Sequence, residues 1–382
     1  LKKDAERVRI FIKGFPEDGI VKKAIFLFSF LFIFSSVTYA QEIIENPDKP
    51  ESKNPGRIIR LKEVLRIKDE GTAFYFREPW GIDVAADGSI FIIDKERLYK
   101  FDSRGRFERN MAKKGQGPGE ITTEIENIII KDNEIIFSCA TMNKVIKMDL
   151  DGNFIKELIP QKRASNLLAY YKNKYFIVDF TPKSFEMEEG YRDYDRNFFI
   201  LDEEGSATPT QYSFPIKHYW HYRASRKGRG GFSTQYVTQL QTSKVSQKYI
   251  YICHTQDYLI KQLDLEKVQT SRIFRRAYPR AKFQADDSRP FKYYNDIHRL
   301  LIYKGNVWAL TSTLDQEKGI LVDVFSKEGK YLDNFYLPLL NSKTGDCFYQ
   351  LYFPMVIDGD FIYAIEHDED WNPCIAKYEI ID

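Results

Sequence analysis

From Ile125 to Ala140 the chain reads "IENIIIKDNEIIFSCA", two short apolar runs on either side of a polar pair, Asp132-Asn133. The spacing is not helical, and the stretch predicts a β-hairpin. The pattern continues as "TMNKVIKMDLDGNFIKEL" and matches an earlier stretch, "WGIDVAADGSIFIIDKERLYKFDSRGRFERN" from Trp80. Each unit gives an apolar strand, a polar turn, a second strand, a short link, a third strand, an Asp-x-x-Gly-type turn and a fourth strand. The turns "ADGS", "KDNE", "DSRG" and "DLDG" have the residues that tight hairpins require.

Four further units follow, beginning at "NLLAYYKNKYFIVDF", "TQLQTSKVSQKYIYICH", "IHRLLIYKGNVWALTS" and "YFPMVIDGDFIYAIEH". The last ends after a third strand, "CIAKYEIID", one strand short. A candidate for the missing strand, "GRIIRLKEVLRI" (56–67), precedes the first unit. Repeats of about fifty residues with four strands each predict an all-β chain. The fold class expected is a six-bladed β-propeller over 56–382, closed by an N-terminal strand that completes the last blade. The alternative is a β-sandwich or a pair of all-β domains, which does not predict four-stranded repeats at this spacing.

"KKGQGPGEI" (113–121) puts three glycines at alternate positions, a composition shared with phosphate-binding loops, but Glu120 stands where such a loop has its lysine. The stretch is expected instead to pass from the outer strand of one blade to the inner strand of the next. With "GQGPGE" in front, the second unit resembles an NHL repeat. Asn143-Lys144-Val145-Ile146 matches that repeat's later signature, and Asp94 and Asp179 match its strand-ending aspartate. Over residues 80–160 the chain resembles bacterial exported six-bladed propellers with such repeats. The resemblance implies the fold, and it implies no single activity.

The 382 residues carry a formal charge of +2, which singles out no class of partner. Residues 22–40, "KKAIFLFSFLFIFSSVTYA", have the form of an export signal: Lys22 and Lys23, an apolar core Ala24–Phe34, and Thr38 and Ala40 before a cleavage site at Gln41. A membrane anchor is the alternative, but the run is short for a bilayer. Residues 1–20 precede the signal and are expected to be an unstructured leader or an overrun, with translation starting at Val21. Residues 41–55 are expected to be a flexible linker. The mature protein is expected to be a periplasmic or secreted monomer with no membrane span and no nucleic-acid partner. Of the four cysteines, Cys139 and Cys253 are expected to be free buried thiols, and Cys347 and Cys374 to bond to each other or to nothing.

The repeat assigns loops to faces, and the long ones share one face, called the top: 181–196, 215–236, 275–296 and 366–373. Function concentrates in such loops. Trp220, Arg223, Arg226, Arg229, Arg275, Arg276 and Arg280 are candidates for binding an anionic partner, a protein, a peptide or a carbohydrate. Aligned on their first turns, the units bring Glu124, Glu126, Asn166, Asp296, His298 and Tyr352 toward the mouth of a central channel. Glu126, Asn166, Asp296 and His298 form a candidate set for a divalent cation, calcium or zinc. His218 with His221, and "HDED" at 367–370, are lesser metal candidates. Two readings stay open: a binding module using its top face, and a metal-dependent hydrolase, lactonase-like, or a lyase working at the channel mouth. No catalytic signature is present.

Overall fold

Two kinds of turn recur among the sheets. In the first, Asp132-Asn133, Lys172-Asn173 and Lys304-Gly305 each have positive φ at both positions. That is the type I′ geometry whose twist suits a hairpin. In the second, an Asp carboxylate holds the turn between the third and fourth strands. Asp102 Oδ1 accepts from the amides of Arg104 and Arg106, both at 2.9 Å. Asp149 does the same for Asp151 and Asn153 (2.9 and 2.8 Å), and Asp202 for Glu204 and Ser206 (3.0 and 2.8 Å). Gly105, Gly152 and Gly205 follow at φ of 78°, 84° and 80°, a region that costs glycine little.

A computed structural model describes residues 41–162, 166–182, 189–209, 212–224, 230–238, 240–282, 292–338 and 354–381. The export signal, Cys347 and Tyr352 lie outside them, as do Arg226 and Arg229. The described strands make six main sheets. The first holds Pro79–Val84, Ile90–Asp94, Arg97–Phe101 and Phe107–Asn110. The second holds Asn127–Lys131, Glu134–Cys139, Lys144–Asp149 and Phe154–Leu158. The third runs from Asn166–Tyr171 through Lys174–Pro182, Gly190–Leu201 and Tyr212–Ala224 to Gly230–Tyr236. The fourth is built on Gln241–Thr242, Tyr249–Cys253, Leu259–Asp264 and Gln269–Arg276, and the fifth on Ile297–Tyr303, Asn306–Asp315, Gly319–Phe325 and Tyr331–Leu337. The sixth has Met355–Asp358, Phe361–His367, Pro373–Ile380 and then Leu61–Ile67.

The core lies between the sheets. Phe91, Ile93 and Leu98 of the first pack with Ile128, Phe137 and Ile146 of the second. Leu301, Trp308 and Leu310 of the fifth pack with Ile362 and Ala376 of the sixth. Ile82 and Ile92 of the first share a cluster with Tyr363 and Ile375 of the sixth and with Ile67. Further clusters join the second sheet to the third, the third to the fourth and the fourth to the fifth, so each sheet is covered on both faces, and all five residues of Ile90–Asp94 are buried. Covered strands read as continuous apolar runs and not as alternation.

The N-terminal segment lies along three sheet edges. Glu42–Asn46 pairs in parallel with Gln269–Arg276 of the fourth sheet. This corrects the reading of 41–55 as a linker: the edge of the fourth sheet supplies the backbone partners, and Ile44 packs beside Phe274. Asn46 ties two sheets, its amide donating to Arg275 O at 3.2 Å and to Gly329 O at 2.9 Å. Arg57–Ile58 then pairs in parallel with Tyr331–Leu337 of the fifth sheet. Leu61–Ile67 runs antiparallel to Pro373–Ile380, from Leu61↔Ile380 to Ile67↔Ile375.

A second correction concerns the stretches 181–196 and 215–236, whose described residues are largely strand. Gly190–Leu201 pairs with Tyr212–Ala224 from Gly190↔Trp220 to Phe198↔Tyr212. Phe214, Ile216 and His218 are buried, while Ser213, Pro215 and Lys217 between them are exposed. The glycine loop does connect the first sheet to the second, and the chain's own carboxylates fill it. Gly117 N donates to Glu120 Oε2 and Gly119 N to Glu157 Oε2, each at 2.9 Å. Cys139, Cys253 and Cys374 are free and buried, and burial pushes the Cys139 and Cys253 thiols up to about 12.

The strand Leu61–Ile67 is fastened by Arg66. Its guanidinium donates to Glu366 Oε2 at 3.0 Å, Tyr378 Oη at 2.9 Å and Glu63 Oε2 at 2.6 Å. Glu366 is buried, so removing its cation leaves the carboxylate with the Tyr378 hydroxyl and no counter-charge. Arg66→Ala should lower unfolding free energy by about 3 kcal/mol, read from urea denaturation. A loss well under about 1 kcal/mol would show that the strand is held by its backbone pairing alone.

Candidate ligand site in the channel

The inner strands of the six sheets surround a central cavity of about 990 Å³, with Asp83, Ile130, Tyr170, Thr242, Leu301 and Val356 each contributed by a different sheet. Its charges are largely matched internally. Lys244, just after the inner strand Gln241–Thr242 of the fourth sheet, pairs with Asp83 of the first, and Asp83 also accepts from Ile130 N at 2.8 Å. Lys147 pairs with Glu134 at 2.7 Å.

A second cavity, of about 350 Å³, lies at the beginning of the inner strands of the second to fifth sheets. Asn127, Leu168, Thr242 and Arg299 line both cavities and mark the neck between them. The smaller cavity is also lined by Asn166, Arg196, Thr238 and Gln241, with Val178, Ile216 and Leu240 as its apolar wall. Among the described residues, its lining holds the guanidinium groups of Arg196 and Arg299 and no carboxylate. Burial pushes the Arg299 guanidinium down to about 10, still far above neutral pH. Asn166 Oδ1 is buried and has no hydrogen-bond partner, an arrangement that is costly unless something fills it.

Of the described members of the expected channel-mouth set, the structure brings Asn166 alone to this lining. Glu126 is exposed just before its strand, with its amide bonded to Ser138 O at 2.8 Å. Glu124 is exposed, 4.0 Å from Lys95. Asp296 is buried and accepts from Arg280 Nε at 3.2 Å. His298 is buried beside the ring of Tyr294. The expected cation ring is thus corrected: among the described residues no three His, Cys, Asp or Glu side chains gather around a possible metal position. The physical reason is local. The inner strand of the fifth sheet has an irregularity between Ile297 and Arg299, and a bulge re-aims side chains. Arg299 lines the channel in place of its neighbour His298. The i, i+3 spacing of His218 and His221 has meaning on a helix and not on a strand, where side chains alternate between faces. Asp368 of "HDED" is used in a turn, accepting from Asp370 N and Asn372 N at 3.0 Å.

The basic top-face candidates divide. Arg276 is corrected from an exposed binder to a buried structural group: it donates to Asp323 Oδ2 at 2.9 and 2.6 Å and lies over the rings of Tyr258, Tyr278 and Tyr331. Arg280 pairs with Asp257 and Asp296, each at 3.2 Å. Arg275 lies 3.8 Å from Glu45. Trp220 Nε1 donates to Tyr194 Oη at 2.6 Å, and the Arg192 guanidinium sits 5.2 Å from its ring centre. Arg223 is on a strand opposite Gly231. Sequence reading missed Arg196 and Arg299. Arg196 lies on a stretch taken for loop, and Arg299 is one residue from the position the alignment selected. The alternation of Phe214, Ile216 and His218 was the available signal for the strand beside Arg196; no signal in the sequence marks the bulge.

Comparison with known proteins agrees with this architecture. A family model described as a 6-bladed beta-propeller matches residues 82–227. A protein from Bacteroides fragilis NCTC 9343 assigned to export has a similar solved structure, with TM-score 0.52 and 12% identity, covering 89% of this chain and 100% of that one. A DUF4221-family member from Bacteroides vulgatus gives TM-score 0.47 and 10% identity over 85% and 99% of the two chains. No curated protein sequence matches. The chain has the fold of a six-bladed β-propeller.

The buried histidines set a pH dependence. Burial pushes His218, His254 and His298 down to about 4, so the unfolded chain binds more protons than the folded one between about 4 and 6.5. Their stability contribution is complete above 6.5 and is lost as pH falls through 4. Asp296 opposes them: burial lifts it to about 6, so its term favours the folded state at low pH and fades as pH rises from about 4 to 6. His298→Gln should therefore flatten, and Asp296→Asn steepen, the rise in stability between pH 4.5 and 6, by up to about 1.4 kcal/mol per pH unit each. Urea unfolding across that range reads both slopes. Equal slopes in the two variants would contradict these burial effects.

Proposed function

We propose that the protein is an exported binding module that takes a small ligand into the smaller channel cavity. The observation that carries this reading is the lining of that cavity: polar groups from several sheets converge beside an apolar wall, the usual composition of a small-molecule site. Export is supported by the "KKAIFLFSFLFIFSSVTYA" pattern at 22–40 and by the similar protein assigned to export. The NHL-like features of the second unit belong to the same reading, as a mark of the repeat and not of the ligand. A protein, peptide or carbohydrate partner on the top face would be a separate contact from the one proposed here.

A thermal-shift panel on the mature chain tests the reading. It contains neutral D-glucose and urea, cationic putrescine, zwitterionic L-leucine, and anionic succinate and inorganic phosphate. At least one compound should raise Tm, and the increase should disappear in Leu240→Trp, which fills the cavity from its wall. A panel without any increase, or an increase that survives in a folded Leu240→Trp protein, would contradict a channel site.

A further inference from the structure

Resting on the export reading, we infer that Gln41 is a modification site: once the signal is cleaved in front of it, its side-chain amide closes on its own α-amine and leaves a pyroglutamyl N-terminus. The chemistry follows from the cleavage pattern. Thr38 and Ala40 place the cut so that glutamine becomes the first residue. The α-amine of such a glutamine reaches Cδ of its own side chain through an unstrained five-membered ring. The N–Cδ bond forms and the Cδ–Nε2 bond breaks. Nε2 takes the proton given up by the amine and departs as ammonia. No oxidant, reductant or second substrate is consumed. The product is a neutral lactam where an ammonium stood, and the chain is lighter by about 17 Da.

The fold leaves room for this ring. Gln41 is exposed and stands one residue ahead of the ladder, which begins at Glu42↔Arg272. Ring closure uses only atoms of Gln41, so Glu42–Asn46 keeps its backbone pairing with the fourth sheet.

The neighbouring charges give the change a consequence. Glu42 Oε2 accepts from Arg272 Nε at 2.7 Å, and Glu45 lies 3.8 Å from Arg275. An α-amino group titrates near 8, so an open terminus is largely an ammonium at neutral pH, one residue from the carboxylate that Arg272 uses. The lactam removes that competing charge from the end of the strand. It also removes the free amine by which an aminopeptidase holds its substrate. Termini are where fraying and proteolysis concentrate, and here the terminus leads directly into the segment that pairs with three sheets. Trimming from this end would take away Ile44, which packs beside Phe274, and Asn46, which bonds to Arg275 O and Gly329 O. A closed Gln41 therefore protects the strand that covers the fourth sheet's edge.

The test uses the full chain, exported and purified without an N-terminal tag, then incubated with a glutaminyl cyclase. Peptide mapping by mass spectrometry reads the terminus. The first peptide should begin at residue 41, be lighter by about 17 Da than its sequence requires, and fail to react with an amine reagent. A broad-specificity aminopeptidase should leave this chain intact. Gln41→Ala changes an exposed residue outside the ladder and keeps its amine, and it should be trimmed at least tenfold faster. A first peptide that begins at residue 41 and keeps its full mass and its reactive amine would overturn the modification while leaving the export reading in place. A mature chain that begins at any other residue would sink both together. Equal trimming of the two chains would overturn the protective role.

Discussion

A β-sheet edge presents a row of unpaired amides and carbonyls, and a ring of sheets built from one chain has to bring its two ends together at one of them. Here that constraint falls on the pairing of Leu61–Ile67 with Pro373–Ile380. The strand supplies the fourth place in the sixth sheet, and Ile67 joins the apolar cluster shared by the sixth and first sheets. Arg66 connects it to Glu366 and Tyr378 through charge-assisted hydrogen bonds. Before reaching this position, the same segment pairs with the edges of the fourth and fifth sheets. One stretch of about 25 residues thus pairs in turn with strands of the fourth, fifth and sixth sheets.

Much of the fold was legible because its signals are local. Asp102, Asp149 and Asp202 each hold their own turn, with a glycine where φ must be positive. Short-range chemistry of this kind repeats visibly when the sheet repeats. The glycine loop at 115–119 was legible for the same reason: Glu120 is a near neighbour in sequence and fills the loop. What stayed hidden was non-local. Glu42–Asn46 is too short and polar to announce a strand, and it pairs because an edge 230 residues away accepts it in parallel.

The candidate site was legible only in part, for two physical reasons. Residues facing a channel are set by strand register, and one extra residue moves the neighbouring side chain into view. His298 and Arg299 illustrate this: the turn alignment chose the first, and the bulged strand presents the second. Charge pairing is the other reason. Arg276 looks like surface charge in a basic stretch, yet Asp323 from the next sheet and three tyrosine rings enclose it. The sequence shows a charge and not its partner. Asn166 was found because it stands at the start of its inner strand, ahead of the register shift between Leu167 and Ala169, and its Oδ1 has no hydrogen-bond partner.

Hydrogen exchange of the mature chain tests the dependence on the N-terminal strand most directly. If Leu61–Ile67 is an integral strand of the ring, its ladder amides will exchange as slowly as those of Pro373–Ile380, and both will become exposed together in one cooperative opening. Exchange of the 61–67 amides at the rate of an exposed loop, with 373–380 and the other five sheets still protected, would contradict the account. It would mean that the ring holds itself closed without its N-terminal segment.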